Sequence, residues 1–282
     1  MVRVAAADGV ALAVHEWPGK GPAPRTIVGI HGLTANHRCW VSVGEVLSPD
    51  YRLVAYDLRG RGDSDKPGTG YSLDVHGRDL AGLLDHIGLR RAVLMGHSLG
   101  AAIALRFAVT HPARVQKLVL IDGGLDVRAE VLDSLAPAIA RLGMEFPSLD
   151  AFLERMRGLP MFAGRWNEYL EGYFRYDVET LPSGAVRAKA APSAIEDELR
   201  SLQRERLWTL HHRVRCPTLI LRAPDGLLTA TDCLMTREEA RAMAAAIPKA
   251  KLVEVSGTNH YTVLMGRNPR VRAAVRAFLR GR

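Results

Sequence analysis

A serine between glycines follows an apolar run in the first half of the chain. The segment Gly96-His97-Ser98-Leu99-Gly100 comes directly after residues 92–95, which are typical of a buried strand, and precedes an alanine-rich stretch typical of a helix. In so sharp a turn, a Cβ at either flanking glycine would collide with neighbouring backbone. The pattern predicts that Ser98 stands exposed above a sheet edge, near the Leu99 N–H and the helix start, where negative charge is favoured.

A serine hydroxyl is a weak nucleophile at neutral pH, so it needs a base nearby. His260 is the candidate, because it lies late in the chain between a predicted strand and the last predicted helix. This position suits a triad whose nucleophile, acid and histidine come in that order. Other histidines fit less well: His97 points away from its neighbour Ser98, and the adjacent His211 and His212 cannot both face one site. The sequence predicts nucleophilic catalysis by Ser98, with His260 as general base.

The elements that must position these residues alternate between strand and helix. The predicted strands are residues 25–30, 51–56, 92–95, 115–121, 217–221 and 251–255. The predicted helices are residues 39–47, 73–87, 100–110, 237–247 and 269–279. Such alternation gives an α/β fold, in which a mostly parallel, doubly wound sheet carries helices on both faces.

Residues 125–212 interrupt this alternation. They show mainly helical patterns punctuated by prolines, with no convincing buried strand, and the strand signal returns at Pro217. We therefore predict one core domain formed by residues 1–124 and 213–282. Residues 125–212 are then a helical insertion between two strands of the same sheet.

Composition excludes several function classes. The 282 residues carry a formal net charge of +8, but arginines and acids are interleaved, so we expect a solvated basic surface and no nucleic-acid partner. The three isolated cysteines fit reduced packing thiols rather than a disulfide framework or metal site. No stretch approaches the roughly 20 apolar residues that span a bilayer, and no signal peptide is evident, so we expect a cytoplasmic protein without membrane contact. A homo-oligomer is compatible with the sequence but not specified by it.

Several segments together resemble the α/β-hydrolase fold family. They are His31-Gly32-Leu33, Asp57-Leu-Arg-Gly-Arg-Gly-Asp-Ser-Asp-Lys-Pro67, Gly96-His97-Ser98-Leu99-Gly100 and Gly257-Thr-Asn-His260. The resemblance covers nearly all of the chain outside the insertion, and it implies that the insertion is a helical cap over the site. It also implies that the backbone N–H groups of Leu33 and Leu99 form an oxyanion hole. The loop 57–67 is then structural, and since no GxxxxGK[ST] pattern is present we expect neither metal nor cofactor.

The resemblance leaves the third member of the triad open. The family most often carries this acid in the loop after the strand that follows the cap, but the usual Gly-x-x-Asp signature is missing there. Asp225 stands one residue early, and Asp232 fits only when counted back from His260. Some members, the haloalkane dehalogenases among them, place the acid 24 positions beyond the nucleophile, which is Asp122 in this chain. The two glycines after Asp122 would let the backbone pass close to the histidine.

Aromatic residues recur at helical spacing in the insertion: Phe162, Trp166, Tyr169 and Tyr173. Such a stripe either packs a cap against its base or lines a substrate wall, with Trp166 and Phe162 as candidate substrate-binding residues. An aromatic cap suits a small to medium, mostly apolar carboxylic ester or lactone, cleaved through an acyl-enzyme by a Ser-His-Asp triad. The alternatives are carbon–carbon bond hydrolysis by the same triad, a ligand sensor without turnover, and a cofactor-free lyase or oxygenase in which the serine is dispensable.

Overall fold

The computed structural model describes residues 2–6, 8–20, 25–48, 50–229 and 231–281. Its strands are β1 Val2–Ala5, β2 Ala11–Trp17, β3 Thr26–Ile30, β4 Arg52–Tyr56, β5 Ala92–His97, β6 Val115–Ile121, β7 Glu145–Phe146, β8 Val178–Thr180, β9 Val186–Ala188, β10 Thr218–Arg222 and β11 Ala250–Glu254. Its α-helices are α1 Val41–Leu47, α2 Leu73–His86, α3 Leu99–Thr110, α4 Ala129–Ala140, α5 Leu149–Arg157, α6 Glu168–Tyr176, α7 Pro192–Leu202, α8 Arg237–Ala246 and α9 Pro269–Arg280.

The main sheet has the strand order β1-β2-β4-β3-β5-β6-β10-β11. Strand β2 pairs antiparallel with β1 and β4, whereas the other neighbours pair in parallel. The central strands β3, β5, β6 and β10 are almost entirely buried, as expected for parallel strands covered by helices on both faces. The predicted α/β class with a mostly parallel, doubly wound sheet is confirmed.

The sheet grows in opposite directions from β3. Strand β4 lies on one side of β3, and β5 lies on the other side, followed outward by β6, β10 and β11. In open α/β sheets, ligands bind in the crevice at the carboxyl ends of the strands where the order reverses in this way. The loops after β3 and β5 begin at His31 and Ser98, so the topology brings two of the sequence motifs to this crevice.

An apolar cluster covers each face of the sheet. One cluster contains Leu80, Leu83 and Leu84 of α2, the helix that the sequence predicts over residues 73–87. The other contains Trp40 beside α1 and aromatic residues of the insertion such as Phe152. Full burial of one such side chain contributes about 1.5–3 kcal/mol, so these clusters dominate the stability of the sheet and its helices.

Two small sets of strands differ from the sequence-based prediction. The antiparallel pair β1 and β2 at the start of the chain was not predicted. Within residues 125–212, helices α4 to α7 are joined by a three-stranded antiparallel sheet of order β7-β9-β8, so the insertion is not purely helical. The strands of this smaller sheet have only two or three residues, too few to show a period of two in the sequence.

Candidate active site

Ser98 occupies the sharp turn between β5 and α3. Its φ of 56° lies in the left-handed region, at a strain of about 1–3 kcal/mol for a residue other than glycine. A Cβ at Gly96 would lie 2.1 Å from the carbonyl oxygen of Gly100, and one at Gly100 would lie 2.0 Å from that of Ile30. Both glycines are therefore required by the backbone. Although Ser98 is the N-cap residue of α3, its side chain makes no capping hydrogen bond, which leaves its hydroxyl free.

His260 and Asp122 form a buried pair at the same edge of the sheet. The Nδ1 atom of His260 lies 2.8 Å from Oδ2 of Asp122, and the two residues are only 4% and 1% exposed. Asp122 directly follows β6 and has a φ of 45°. Its other carboxylate oxygen accepts a hydrogen bond from the N–H of Ala223 at 3.1 Å, and its own N–H donates to the carbonyl of Leu221 at 2.8 Å. The end of β10 thus fixes the carboxylate that faces the histidine.

Ser98 and His260 line one narrow cavity. This histidine cavity is bounded by Gly32, Leu33, Thr34, Ala35, Cys39, His97, Ser98, Leu135, Ala138, Ile139, Tyr173, His260, Tyr261 and Met265. The structure therefore brings the nucleophile and base predicted from sequence into one space, with Asp122 behind the histidine.

The other two candidate acids lie elsewhere. Asp225 accepts a hydrogen bond from Arg165 Nη2 at 2.8 Å, and about a third of each side chain is exposed. Asp232 closes its own loop by accepting hydrogen bonds from the N–H groups of Leu227 and Thr229 at 2.8 and 3.0 Å. The structure brings neither carboxylate into a hydrogen bond with His260, in contrast to Asp122.

The loop after β3 approaches Ser98 closely enough to require a glycine. A Cβ on Gly32 would lie 3.1 Å from the Ser98 Cβ and 3.6 Å from its Oγ. His31 fixes this loop: its Nε2 accepts a hydrogen bond from the N–H of Leu58 at 2.9 Å, so its Nδ1–H donates to the Gly32 carbonyl at 2.8 Å. Burial lowers the pKa of His31 to about 4, which keeps the ring neutral.

Leu33 and Leu99, whose backbone N–H groups are the candidate oxyanion hole, line a cavity together with Ser98. Among the residues that the structure describes, neither N–H group has a hydrogen-bond acceptor. The carbonyl of Leu33 accepts a hydrogen bond from Nε of Arg61 at 3.0 Å, which fixes the orientation of this stretch of backbone. Two unpaired amides next to a serine are suited to stabilising a developing oxyanion.

Comparison with known proteins identifies the family of this arrangement. Residues 25–266 match the sequence model of the family described as the alpha/beta hydrolase fold. The chain belongs to the α/β hydrolase fold family. It is 30% identical, over 256 residues, to the 2-(acetamidomethylene)succinate hydrolase of Mesorhizobium japonicum, a match that covers 89% of this chain and 86% of that protein.

Solved structures agree with this membership. The crystal structure of E-2-(acetamidomethylene)succinate hydrolase matches this α/β hydrolase with a TM-score of 0.85 and 27% identity, covering 99% of this chain and 98% of the other. An α/β hydrolase from Novosphingobium aromaticivorans has the same fold, with a TM-score of 0.80 and 24% identity, covering 99% and 96% of the two chains. The similar proteins named here are hydrolases.

Two residues of this α/β hydrolase that sequence reasoning missed hold the loop of His260. The Nε2–H of His97 donates to the carbonyl of His260 at 2.8 Å, and the two rings lie 4.4 Å apart. Burial lowers the pKa of His97 well below its usual range, so the ring next to His260 stays uncharged. Asn259 donates to the carbonyl of Met161 at 2.7 Å, and its side-chain oxygen accepts hydrogen bonds from the backbone N–H groups of Tyr261 and Thr262. Their side chains carry no sequence signal beyond their position beside the motif serine and histidine.

Some residues of the aromatic stripe in the insertion pack against one another, and one lines the histidine cavity. Phe162 is 1% exposed and contacts Trp166 edge to face, with ring centroids 5.9 Å apart. Neither residue lines a cavity that contains Ser98. Tyr173 from the same stripe does line the histidine cavity. The positions of Phe162 and Trp166 fit the packing interpretation, whereas Tyr173 lies at the wall of the histidine cavity.

Ser98 also lines a second cavity. This leucine-lined cavity is bounded mainly by aliphatic side chains of the core and the insertion: Leu33, Leu99, Ala102, Leu125, Val127, Val131, Leu132, Leu135, Leu199, Leu202 and Leu234. Ser98 therefore lines both the histidine cavity and the leucine-lined cavity.

The residues that the structure describes contain neither a cluster of candidate metal ligands nor a helix able to cross a membrane. In them, no group of three or more His, Cys, Asp or Glu side chains is arranged to hold a metal ion. Within the same part of the chain, every helix is too short or too polar to cross a membrane.

Proposed function

We propose that this α/β hydrolase cleaves small to medium carboxylic esters or lactones through an acyl-enzyme on Ser98. Asp122 accepts a hydrogen bond from the Nδ1–H of His260 and so fixes the tautomer in which Nε2 is free to accept a proton. This pair, together with the cavity shared by Ser98 and His260, is the observation that carries the proposal.

In the first half of the reaction, Oγ of Ser98 attacks the ester carbonyl while His260 takes its proton. The carbonyl oxygen becomes an oxyanion, which the N–H groups of Leu33 and Leu99 stabilise. Asp122 stabilises the imidazolium that forms. As the tetrahedral intermediate collapses, His260 gives the proton to the departing alkoxide, and the acyl group remains on Ser98.

In the second half, water replaces the alcohol. His260 takes a proton from the water, which attacks the acyl carbonyl, and the proton then returns to Oγ of Ser98. A lactone follows the same course, except that its alcohol and acid remain in one product molecule. No metal or redox cofactor is needed for either half.

The site also supports a second candidate substrate class. The similar protein from Mesorhizobium japonicum is named for hydrolysis of a succinate derivative, which is not an ester by name. The same nucleophile and base would serve hydrolysis of an amide or of a carbon–carbon bond next to a carbonyl. Ester hydrolysis remains the first proposal, because the leucine-lined cavity beside Ser98 suits an apolar alcohol or acyl group.

Steady-state hydrolysis of 4-nitrophenyl acetate and butyrate tests the proposal. We expect turnover that Ser98→Ala reduces by about 10⁴-fold or more. Ser42→Ala is the matched control, because Ser42 in α1 donates a hydrogen bond to the carbonyl of Gly266 and lines no cavity with Ser98. Hydrolysis that survives Ser98→Ala would contradict the proposal and favour chemistry centred on His260. Tight binding of a small ligand without turnover would instead favour a sensor.

A further inference from the structure

The histidine cavity continues into a smaller space that ends on a buried arginine. This inner cavity is lined by Thr34, Ala138, Arg141, Tyr173, Phe174 and Tyr261, together with Met156 and Leu159. Thr34, Ala138, Tyr173 and Tyr261 also line the histidine cavity. A group held at Arg141 therefore lies in a space directly adjoining the one that contains Ser98.

Arg141 has a buried donor without an acceptor. Its side chain is 4% exposed, and its Nη2 donates to the carbonyl of Thr34 at 3.0 Å and to Oδ2 of Asp177 at 2.7 Å. Its Nη1 donates to the carbonyl of Ala138. Within the part of the chain that the structure describes, its buried Nε–H has no hydrogen-bond partner. Leaving a buried donor unsatisfied is unfavourable, and more so when the group is charged, so the position calls for an acceptor.

The surroundings of Arg141 favour an oxygen with negative charge. Burial raises the pKa of Tyr173 and of Tyr261, and the charge of Asp177 raises it further, while the positive charge of Arg141 opposes this rise. Both hydroxyls thus stay protonated and able to donate. Asp177, which balances the arginine charge, is held by Nη2, and its other oxygen accepts from Nδ2 of Asn36 at 3.0 Å. The balancing carboxylate is therefore bonded at Nη2, while Nε remains without a partner.

We propose that Arg141 is a specificity-determining residue that binds a carboxylate of the substrate through its Nε–H. This inference rests on the proposed function and narrows it. The substrates are esters or lactones that carry a second, free carboxylate on the acyl side, a few bonds from the scissile carbonyl. The acyl group extends from Ser98 through the histidine cavity to Arg141, and the alcohol part occupies the leucine-lined cavity.

Two esters that differ only in this charge test the inference on the unmodified protein. One is mono-4-nitrophenyl glutarate, and the other is its methyl ester, which has the same leaving group and no charge. A hydrogen bond to a charged group contributes about 1.5–3 kcal/mol, so we expect kcat/KM to be about 10-fold to 100-fold higher for the acid. Equal values for the two esters would overturn the inference.

Substitution of the arginine tests which residue carries the preference. In Arg141→Met we expect the acid-to-methyl-ester ratio to fall to about 1, mainly through a higher KM for the acid. Arg141→Lys keeps the charge and should retain part of the preference. Arg222→Met is the matched control, because Arg222 is also a buried arginine paired with a carboxylate, Glu254, but lines no cavity with Ser98. It should leave the ratio unchanged.

The outcomes separate this inference from the proposed function. Serine-dependent hydrolysis of 4-nitrophenyl butyrate without a preference for the acid would overturn the role of Arg141 and leave the ester hydrolase proposal intact. Absence of any serine-dependent hydrolysis would overturn the proposed function and the inference with it. If Arg141→Met does not fold, as judged by circular dichroism, the comparison of the two esters on the unmodified protein and on Arg141→Lys decides. A ratio that persists in a folded Arg141→Met would assign the preference to another residue.

Discussion

The carboxyl edge of the sheet and the insertion are held in place by different kinds of interaction. At the edge, backbone geometry sets the positions: Ser98 and Asp122 adopt left-handed φ angles, and backbone hydrogen bonds from the neighbouring strands fix them. The insertion is attached largely through buried side chains. Glu198 of α7 accepts hydrogen bonds from Arg61 and from His76, and Tyr176 of α6 donates to Asp57.

This difference determines which residues can be substituted without loss of the fold or the site. An edge built from glycines and backbone hydrogen bonds tolerates few substitutions, so its motif stays visible in the sequence. Buried ion pairs can be replaced by other pairs or by apolar residues of similar volume without changing the fold. The edge therefore governs reactivity, and the attachment of the insertion governs stability and the shape of the cavities.

The largest expected effect is at the edge. Asp122→Asn should lower kcat for a 4-nitrophenyl ester by about 10⁴-fold, because an amide in place of the carboxylate favours the wrong tautomer of His260. The free energy of unfolding, measured by urea titration, should change far less. An activity loss below about 10-fold would show that another carboxylate orients the histidine.

The second largest effect is expected where the insertion is attached to the core. Glu198→Ala should lower the free energy of unfolding by about 3–5 kcal/mol, because Arg61 would remain buried without its charge partner. Urea denaturation followed by circular dichroism measures this change. Glu196→Ala, on an exposed position of the same helix, is the control and should change stability by less than about 0.5 kcal/mol. Similar stabilities for the two variants would contradict the assigned role of the buried pair.

A smaller effect depends on pH. Burial raises the pKa of Asp57, but hydrogen bonds and charge from His37, with a hydrogen bond from Tyr176, outweigh it and lower the pKa to about 2. Because the folded pKa lies below the unfolded value, Asp57 stabilises the protein fully above about pH 5, and this stabilisation is lost as the pH falls towards 2.

The stabilisation by ionised Asp57 amounts to about 2 kcal/mol, because the pKa of this carboxyl is shifted below its usual value. Asp57→Asn should therefore flatten the decline in stability between pH 5 and pH 2, as measured by urea titration at a series of pH values. Asp85→Asn, at an exposed position, is the control and should leave the decline in stability between pH 5 and pH 2 unchanged. If stability declines with falling pH identically in Asp57→Asn and in the unmodified protein, Asp57 does not contribute to the decline.

The smallest expected effect concerns the carboxylate that pairs with the insertion. Asp225→Asn removes a partly exposed ion pair with Arg165, and such pairs contribute about 0–1 kcal/mol. We expect kcat to stay within about 10-fold of the unmodified protein. A loss as large as that expected for Asp122→Asn would reverse the contrast between the two carboxylates.

The sequence predicts the edge well because its determinants are local. The strand before Ser98, the glycines around it and the late position of His260 can all be recognised from adjacent residues. The main strands and helices of the core lie within about three residues of their predicted bounds for the same reason, since their apolar runs are long enough to show a period.

The remaining features depend on contacts between distant parts of the chain. The choice between Asp122 and Asp225 rests on which carboxylate meets His260, 138 and 35 positions away, and no local pattern encodes that distance. Arg141 is one of many arginines in the sequence, and only the fold buries it beside Tyr173 and Tyr261. The hairpin of β1 and β2 and the sheet of the insertion are too short or too mixed in pattern to be recognised.

The central claim is that Ser98 is a nucleophile activated by His260. Labelling with a fluorophosphonate tests it without knowledge of the substrate, because the reagent reacts with activated serines. We expect one adduct per chain, mapped to Ser98 by mass spectrometry of peptides, and a greatly slowed reaction in His260→Ala. An adduct at another residue, or a Ser98 that stays unlabelled in the folded protein, would contradict the account.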